Sequence, residues 1–223
     1  MSSNQSPSLE WKNGVPIAVR FEDPYFSLQD GLAETRHVFL AGNQLPARFE
    51  PGFHTAELGF GTGLNLAAAM IAWRDAGVAG PLCFTSFEAY PMTAAEMERA
   101  LAVFPEARQA LSPVLAGLAS GAIVVETEVI RFRLILGDAR QTVPAWQGAA
   151  DAWFLDGFAP ARNPELWEDG LLQAVGAHTV QGGTAATYSA AGSIRRGLMT
   201  AGFEVDRVPG FGRKRHMTVA RKP

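Results

Sequence analysis

The chain has 223 residues, 48% of them hydrophobic and 18% charged, with a formal net charge of −3. That length suits one generous domain or two cramped ones, and the apolar share excludes disorder of the whole chain. No apolar run reaches the roughly 18–20 residues that cross a bilayer, the first residues lack a charged start followed by an apolar stretch, and the single cysteine excludes an internal disulfide or a thiolate metal site. The expectation is a cytoplasmic protein.

Residues 1–8, rich in Ser, Asn and Pro, are expected to lack fixed structure. Between 9 and 49, short apolar stretches broken by Asn13-Gly14, Asp23-Pro24, Asp30-Gly31 and Gly42-Asn43 predict strands and turns with at most a brief helix at 30–36. This segment, within 1–50, reads as an irregular, β-rich N-terminal extension and cap. From residue 53 the text changes to strand-length apolar runs at 53–58, 82–88, 132–136, 152–155 and 184–188, alternating with helical spacing at 64–76, 93–104, 164–177 and 193–201. Continuously apolar strands alternating with helices predict an α/β fold, a doubly wound and mostly parallel sheet forming one compact unit over 51–223. Residues 121–136 add two adjacent strands, and 203–208 with 217–220 close the sheet as an antiparallel pair around the turn 209–212. Cys83 lies in an apolar segment and reads as a small buried thiol. His37, His54, His178 and His216 are too dispersed to form a ligand pair, so no metal is expected.

The stretch ELGFGTGLN, 57–65, follows the first strand of the parallel unit and opens a helix. Ligands of open α/β sheets bind beyond the carboxyl ends of the strands, and glycines there let the backbone approach them. A dinucleotide fingerprint requires a third glycine at 64, where Leu64 stands; the spacing is Gly59-x-Gly61-x-Gly63 behind the acidic Glu57, which resembles the first motif of S-adenosylmethionine-dependent methyltransferases. Glu88 ends the second strand, where a carboxylate can accept from both hydroxyls of a ribose. Asp138 follows the third, where a carboxylate can accept from an adenine amino group. An acid just past a strand is ordinarily a helix cap or turn residue, but three at successive strand ends beside a glycine loop argue for a ligand. The next strand delivers Asp156 into Gly157-Phe158-Ala159-Pro160, in the position where amine-methylating enzymes hold their acceptor. Pro164 marks the following helix start several residues later, which weighs against Asp156 as a mere cap.

Charge is unevenly placed. Residues 189–223 hold eight basic side chains against two acids, a local +6 on a body of −9. Arg195, Arg196, Arg213, Lys214 and Arg215 are therefore candidates for a phosphate-binding surface, against the plainer reading of solvated charges near a terminus.

These segments together resemble the methyltransferase domain of the bacterial tRNA 5-methylaminomethyl-2-thiouridine synthase family. The resemblance runs through 25–49, 57–65, 86–91, 136–140, 153–167, 189–203 and 210–217, with FLDGFAPARNPELW and GFGRKRHM its most specific parts. It implies a Rossmann-like class I fold, S-adenosyl-L-methionine as cofactor, and methylation of the exocyclic amine of 5-aminomethyl-2-thiouridine at the tRNA wobble position. It implies the tRNA anticodon region as partner, no metal or membrane, and functional coupling to a separate flavin-dependent oxidase that prepares the amine. Cofactor roles carry over onto Glu57, Gly59, Gly61, Gly63, Asn65, Glu88, Asp138 and Asp156. Asp156 is also the candidate catalytic residue, accepting a hydrogen bond from the amine. Phe158 and Tyr25 are candidates to stack on the base, where core packing is the competing role. Two other readings stay open: a class I methyltransferase or aminopropyl transferase acting on a small-molecule amine, and a non-catalytic module that keeps the pocket, against which the four intact acids argue.

Overall fold

The computed structural model describes residues 6–27 and 30–223. Residues 1–5 of the expected unstructured start, and Leu28 and Gln29 of the YFSLQDG stretch, lie outside the described residues. Strands β1 (Leu9–Lys12), β2 (Val15–Ala18) and β3 (Asp23–Pro24) form a small antiparallel sheet. Helix α1 (Gly31–Thr35) follows, capped by Asp30, whose side chain accepts from the Ala33 N–H. The chain then continues through a π-helical turn at Arg36–Leu40 and a 3-10 turn at Ala41–Asn43, so the expected brief helix is the start of a longer helical stretch. Gly42 does not make the turn the sequence suggested: a Cβ there would come within 2.8 Å of Ala186 Cβ, and the glycine lets this stretch lie against the main sheet. Asn43, fully buried, anchors it by donating to the carbonyls of Phe39 and Trp153.

The main unit then runs β4 (His54–Leu58), α2 (Leu64–Ala76), β5 (Leu82–Glu88), α3 (Ala94–Leu101), α4 (Pro105–Ala119), β6 (Val124–Glu126), β7 (Ile130–Leu136), α5 (Ala139–Ala145) and β8 (Ala150–Leu155). After a 3-10 turn at Pro164–Trp167 come α6 (Asp169–Ala177), β9 (Thr179–Thr187), α7 (Gly192–Thr200), β10 (Glu204–Pro209) and β11 (His216–Arg221). The strand order is β10-β11-β9-β8-β4-β5-β7-β6, parallel from β9 to β7 and antiparallel at both edges. Chain order reverses at β4, between β5 and β8, so a crevice opens beyond the carboxyl end of β4. Strand side chains alternate between two cores. Phe84, Phe132 and Phe154 pack with α2, α3 and α4, while Phe87, Trp153 and Leu155 pack with α5, α6 and α7. Helices on both faces make this the expected doubly wound sheet.

Several boundaries differ from expectation. Helix α4 was not among the expected elements; Pro105 occupies its first helical position, where its missing N–H is harmless, and α3 and α4 meet around Phe104. The helix expected at 164–177 is interrupted at Glu168, which is extended (ψ 144°). Trp167 Nε1 donates to the Phe158 carbonyl and Glu168 pairs with Arg140, and these contacts set the break. Strand β9 begins at Thr179 rather than 184, because Gly182-Gly183 lies in a register shift inside the strand and not in a turn. Cys83 is half-buried on β5, not sealed in the core.

Candidate active site

Beyond the carboxyl ends of β4, β5, β7 and β8 lies a cavity of about 660 Å³. Its walls bring together Tyr25, Gly59, Gly61, Asn65, Glu88, Asp138, Asp156, Phe158, Arg213 and Lys214 of the residues singled out from sequence. Gly59 and Gly61 have φ of +80° and +52°, and a Cβ at Gly61 would come within 3.0 Å of the Tyr25 ring, so both the path of the loop and its closeness to the cap favour glycine. Gly63 does not line the cavity. It precedes α2, and a Cβ there would meet Leu111 at 2.7 Å, so it serves helix packing.

Glu57 is fully buried and is not among the lining residues. Its Oε1 accepts from Asn65 Nδ2 at 2.9 Å and its Oε2 from Ser86 Oγ at 2.7 Å, while burial pushes its carboxyl well above the ordinary range. Asp156 leaves β8 and does not cap a helix. Its Oδ1 accepts from the Gly157 N–H at 2.8 Å and its Oδ2 from Asn65 Nδ2 at 2.7 Å. Burial pushes Asp156 up to about 6, against the lowering effect of those two hydrogen bonds and of Lys214. A carboxylate with that value is ionised at neutral pH and a stronger base than an exposed aspartate.

Glu88 faces the cavity with both oxygens already oriented: Oε2 accepts from the Gly61 N–H at 3.0 Å and Oε1 from the Tyr90 N–H at 2.8 Å. Asp138 is both a lining residue and the cap of α5, accepting from the Arg140 N–H at 2.9 Å, so the ordinary role of an acid past a strand is real here. The Arg140 guanidinium also grips both carboxylate oxygens, and its hydrogen bonds hold Asp138 below the usual carboxylate range.

An aromatic wall adjoins the glycine loop at Tyr25. Phe158 stacks on Phe21 with ring centroids 4.6 Å apart and meets Tyr25 edge-on at 5.1 Å. Lys214 bonds Glu34 Oε1 at 2.7 Å, and its ammonium lies 4.0 Å from the centre of the Tyr188 ring. Tyr188 in turn donates to the Gly157 carbonyl at 2.8 Å. Arg213 reaches the mouth, but Arg195, Arg196 and Arg215 do not line the cavity. Arg207, Arg215 and Arg195 lie near enough to His216 to lower its pKa, after desolvation as the first cause. Lys222, part of the same basic run, is used structurally: its Nζ donates to the carbonyls of Gly176 and Thr179.

Sequence reasoning missed Phe21, Glu34, Thr35, Ser86 and Tyr188. Ser86 lies within 86–91, two residues before Glu88, and Glu34 and Thr35 within 25–49; nothing local reveals partners as distant as Asn65 or Lys214. Among the described residues no group of three or more His, Cys, Asp or Glu side chains could hold a metal, and no helix is long and apolar enough to cross a membrane.

The family model described as S-adenosyl-L-methionine-dependent methyltransferase matches residues 104–223. The chain is 46% identical over 237 residues to the tRNA 5-methylaminomethyl-2-thiouridine biosynthesis bifunctional protein MnmC of Caulobacter sp. (strain K31), covering 100% of this chain and 39% of that protein. It is 43% identical over 224 residues to the protein of the same name from Methylobacillus flagellatus, covering 96% of this chain and 35% of that one. The chain thus spans less than two fifths of the length of these curated relatives. The crystal structure of MnmC2 from Aquifex aeolicus matches 99% of this chain and 72% of its own with a TM-score of 0.78 at 26% identity.

Proposed function

The chain belongs to the family of S-adenosyl-L-methionine-dependent methyltransferases, and from that premise we propose that it methylates the exocyclic amine of 5-aminomethyl-2-thiouridine at the wobble position of tRNA. The observation that carries the proposal is the position of Asp156, a carboxyl group that lines the crevice beyond β4 and β8 beside Phe158, in a chain alignable over its whole length with proteins named for the methylated product, 5-methylaminomethyl-2-thiouridine.

The cavity suits the cofactor. Two glycines leave the backbone bare on one wall, Glu88 is fixed by two N–H donors, and the lining carries Asp23, Glu34, Glu88, Asp138, Asp156 and Glu165 against Arg213 and Lys214, an acidic balance that favours a sulfonium cation. Glu88 would hold the ribose hydroxyls, the Gly59–Gly61 backbone the amino-acid side, and Asp138 the adenine end, where Arg140 must release one contact for the carboxylate to accept from the amino group. Glu57 supports the loop from beneath without touching the ligand. When bound, S-adenosyl-L-methionine supplies an electrophilic methyl on sulfur and leaves as a neutral thioether.

An alkylamine is largely protonated near neutral pH and must lose a proton before its lone pair can attack. Asp156 accepts a hydrogen bond from the ammonium and orients it, and its raised pKa narrows the gap that proton transfer must cross. Phe158 and Tyr25 give the unstacked base an aromatic surface, Phe21 backs Phe158, and Arg195, Arg196, Arg213, Lys214 and Arg215 meet the tRNA phosphates. Residues 1–50 act as a cap over a methyltransferase unit at 51–223. The relatives are bifunctional by name, and functional coupling to a flavin-dependent oxidase would supply the free amine in the cytoplasm.

The test is to incubate the purified protein with labelled S-adenosyl-L-methionine and tRNA bearing 5-aminomethyl-2-thiouridine, then digest the tRNA. Label in 5-methylaminomethyl-2-thiouridine supports the proposal. Label in another nucleoside, or in a small amine and not in tRNA, refutes it.

A further inference from the structure

The amide of Asn65, in the first turn of α2, lies between the buried Glu57 carboxyl and the half-buried Asp156 carboxyl. Its Nδ2 donates to Glu57 Oε1 at 2.9 Å and to Asp156 Oδ2 at 2.7 Å, and its Oδ1 accepts from Thr35 Oγ1 at 2.9 Å. A side-chain amide has two N–H donors, so both are used within the protein. The carboxylate of Asp156, which can only accept, fixes which way the amide faces: it takes the nitrogen and leaves the oxygen to accept from the Thr35 hydroxyl. Ser86 completes the set from β5 by donating to Glu57 Oε2. One amide therefore links the N-terminal cap, the end of β4 and the end of β8.

We infer that Asn65 is a positioning residue for methyl transfer, aiming the Asp156 carboxylate into the cavity while Thr35 of the cap braces the amide oxygen, and that its side chain is not a cofactor contact. This deepens the proposed reaction and rests on it. A carboxylate beside another carboxyl group has no inherent reason to stay ionised or to keep one rotamer; a donor shared between the two supplies both. The groups acting on Asp156 come from every side. Glu57 from β4, Glu34 from α1 and the half-buried Tyr188 just after β9 share the site, Asp23 joins them through Tyr188, Lys214 comes from the β10–β11 loop, and Glu88 acts on Glu57 from β5. Lys214, Gly157 N–H and Asn65 favour the ionised form, while burial and Glu34 oppose it. Replacing Asn65 by leucine removes one of the three favourable influences and the only one that also bonds the neighbouring Glu57 among the described residues.

The experiment follows the Asp156 carboxyl directly in the full chain labelled with 13C-aspartate, its signal identified by its loss in Asp156→Asn, alongside methyl transfer to tRNA. In Asn65→Leu the titration midpoint should rise by about one pH unit, the worth of one hydrogen bond to a charged group. Turnover near neutral pH should fall about 10- to 100-fold, as expected when a reacting group is misplaced, while affinity for S-adenosyl-L-methionine changes less than about threefold. Thr35→Val, nearly the same shape, should move the midpoint and turnover in the same directions by less, and it reports even where Asn65→Leu folds poorly. A midpoint unmoved in both variants overturns the inference whatever the tRNA assay gives. Cofactor affinity falling in step with turnover overturns it as well, since Asn65 would then be a ligand contact. A wild-type protein that leaves tRNA unmethylated defeats the proposed reaction instead, and the titration still decides the role of Asn65.

Discussion

At the floor of the cavity, Glu57, Asn65, Ser86 and Asp156 are joined by hydrogen bonds of 2.7 and 2.9 Å on rigid strand ends and a helix start. At the rim, Arg213, Lys214 and Arg215 are carried exposed on a loop between β10 and β11, with Lys214 held by Glu34. Charge at the floor is withdrawn from water, so each group's ionisation and direction depend on a few neighbours. Charge at the rim is hydrated and screened within about 8–10 Å at ordinary salt, so it acts collectively on an approaching polyanion. The chain thus sets acids at the floor, where position matters, and gathers exposed bases at the rim, where their summed field acts, with Lys214 also fixed by Glu34.

Substitutions should separate the two regions sharply. Asp156→Ala should lower turnover by about 10²–10⁴-fold, the range for loss of a positioned acid–base group, with affinity for S-adenosyl-L-methionine by calorimetry little changed; equal losses in both would place Asp156 on the cofactor instead. Glu88→Ala should weaken cofactor binding by about 10- to 100-fold, as loss of hydrogen bonds to a charged group would, and should leave tRNA binding intact. Neutralising Arg213 and Arg215 to Gln should do the reverse: tRNA affinity falls, its slope against the logarithm of salt shrinks by about one for each residue, and turnover at saturating tRNA stays near wild type. A salt slope equal to that of wild type would take these two residues off the tRNA surface.

A smaller effect lies in stability. Glu57 and Asp156 both have folded-state values raised above their unfolded ones, so each adds stability below its unfolded value that is lost as pH rises through its folded one. Thermal midpoints of the wild type should therefore decline from about pH 4 upward through the window near 6 set by Asp156. Glu57→Gln, which keeps the shape and cannot ionise, should flatten the part of that decline due to Glu57; a midpoint curve parallel to wild type across the range would contradict burial as the cause of its shift.

Much of this architecture was legible in the sequence where local chemistry decides structure. The bounds of α2 and β5 follow from a glycine on each side of a long helical pattern and from a continuous apolar run ending in Glu88. Asp156 was visible because an apolar strand delivered it into a Gly-Phe-Ala-Pro turn. Legibility failed where distant contacts decide. Trp167 and Glu168 break a helix through bonds to Phe158 and Arg140, and the strand expected from 184 begins at Thr179, with the Gly182-Gly183 irregularity inside it. The site followed the same division: Gly59, Gly61 and Glu88 announce themselves near strand ends, whereas Thr35 has meaning only through Asn65, thirty residues away, and Glu34 only through Lys214.

The most direct test of Asp156 as the group that holds the amine is the pH dependence of kcat/KM for tRNA methylation. The profile should break near pH 6, the value to which burial pushes Asp156, falling more steeply below it, and the residual activity of Asp156→Asn should show no such break. A profile without a break between pH 5 and 7, or the same break surviving in Asp156→Asn, would contradict the assignment.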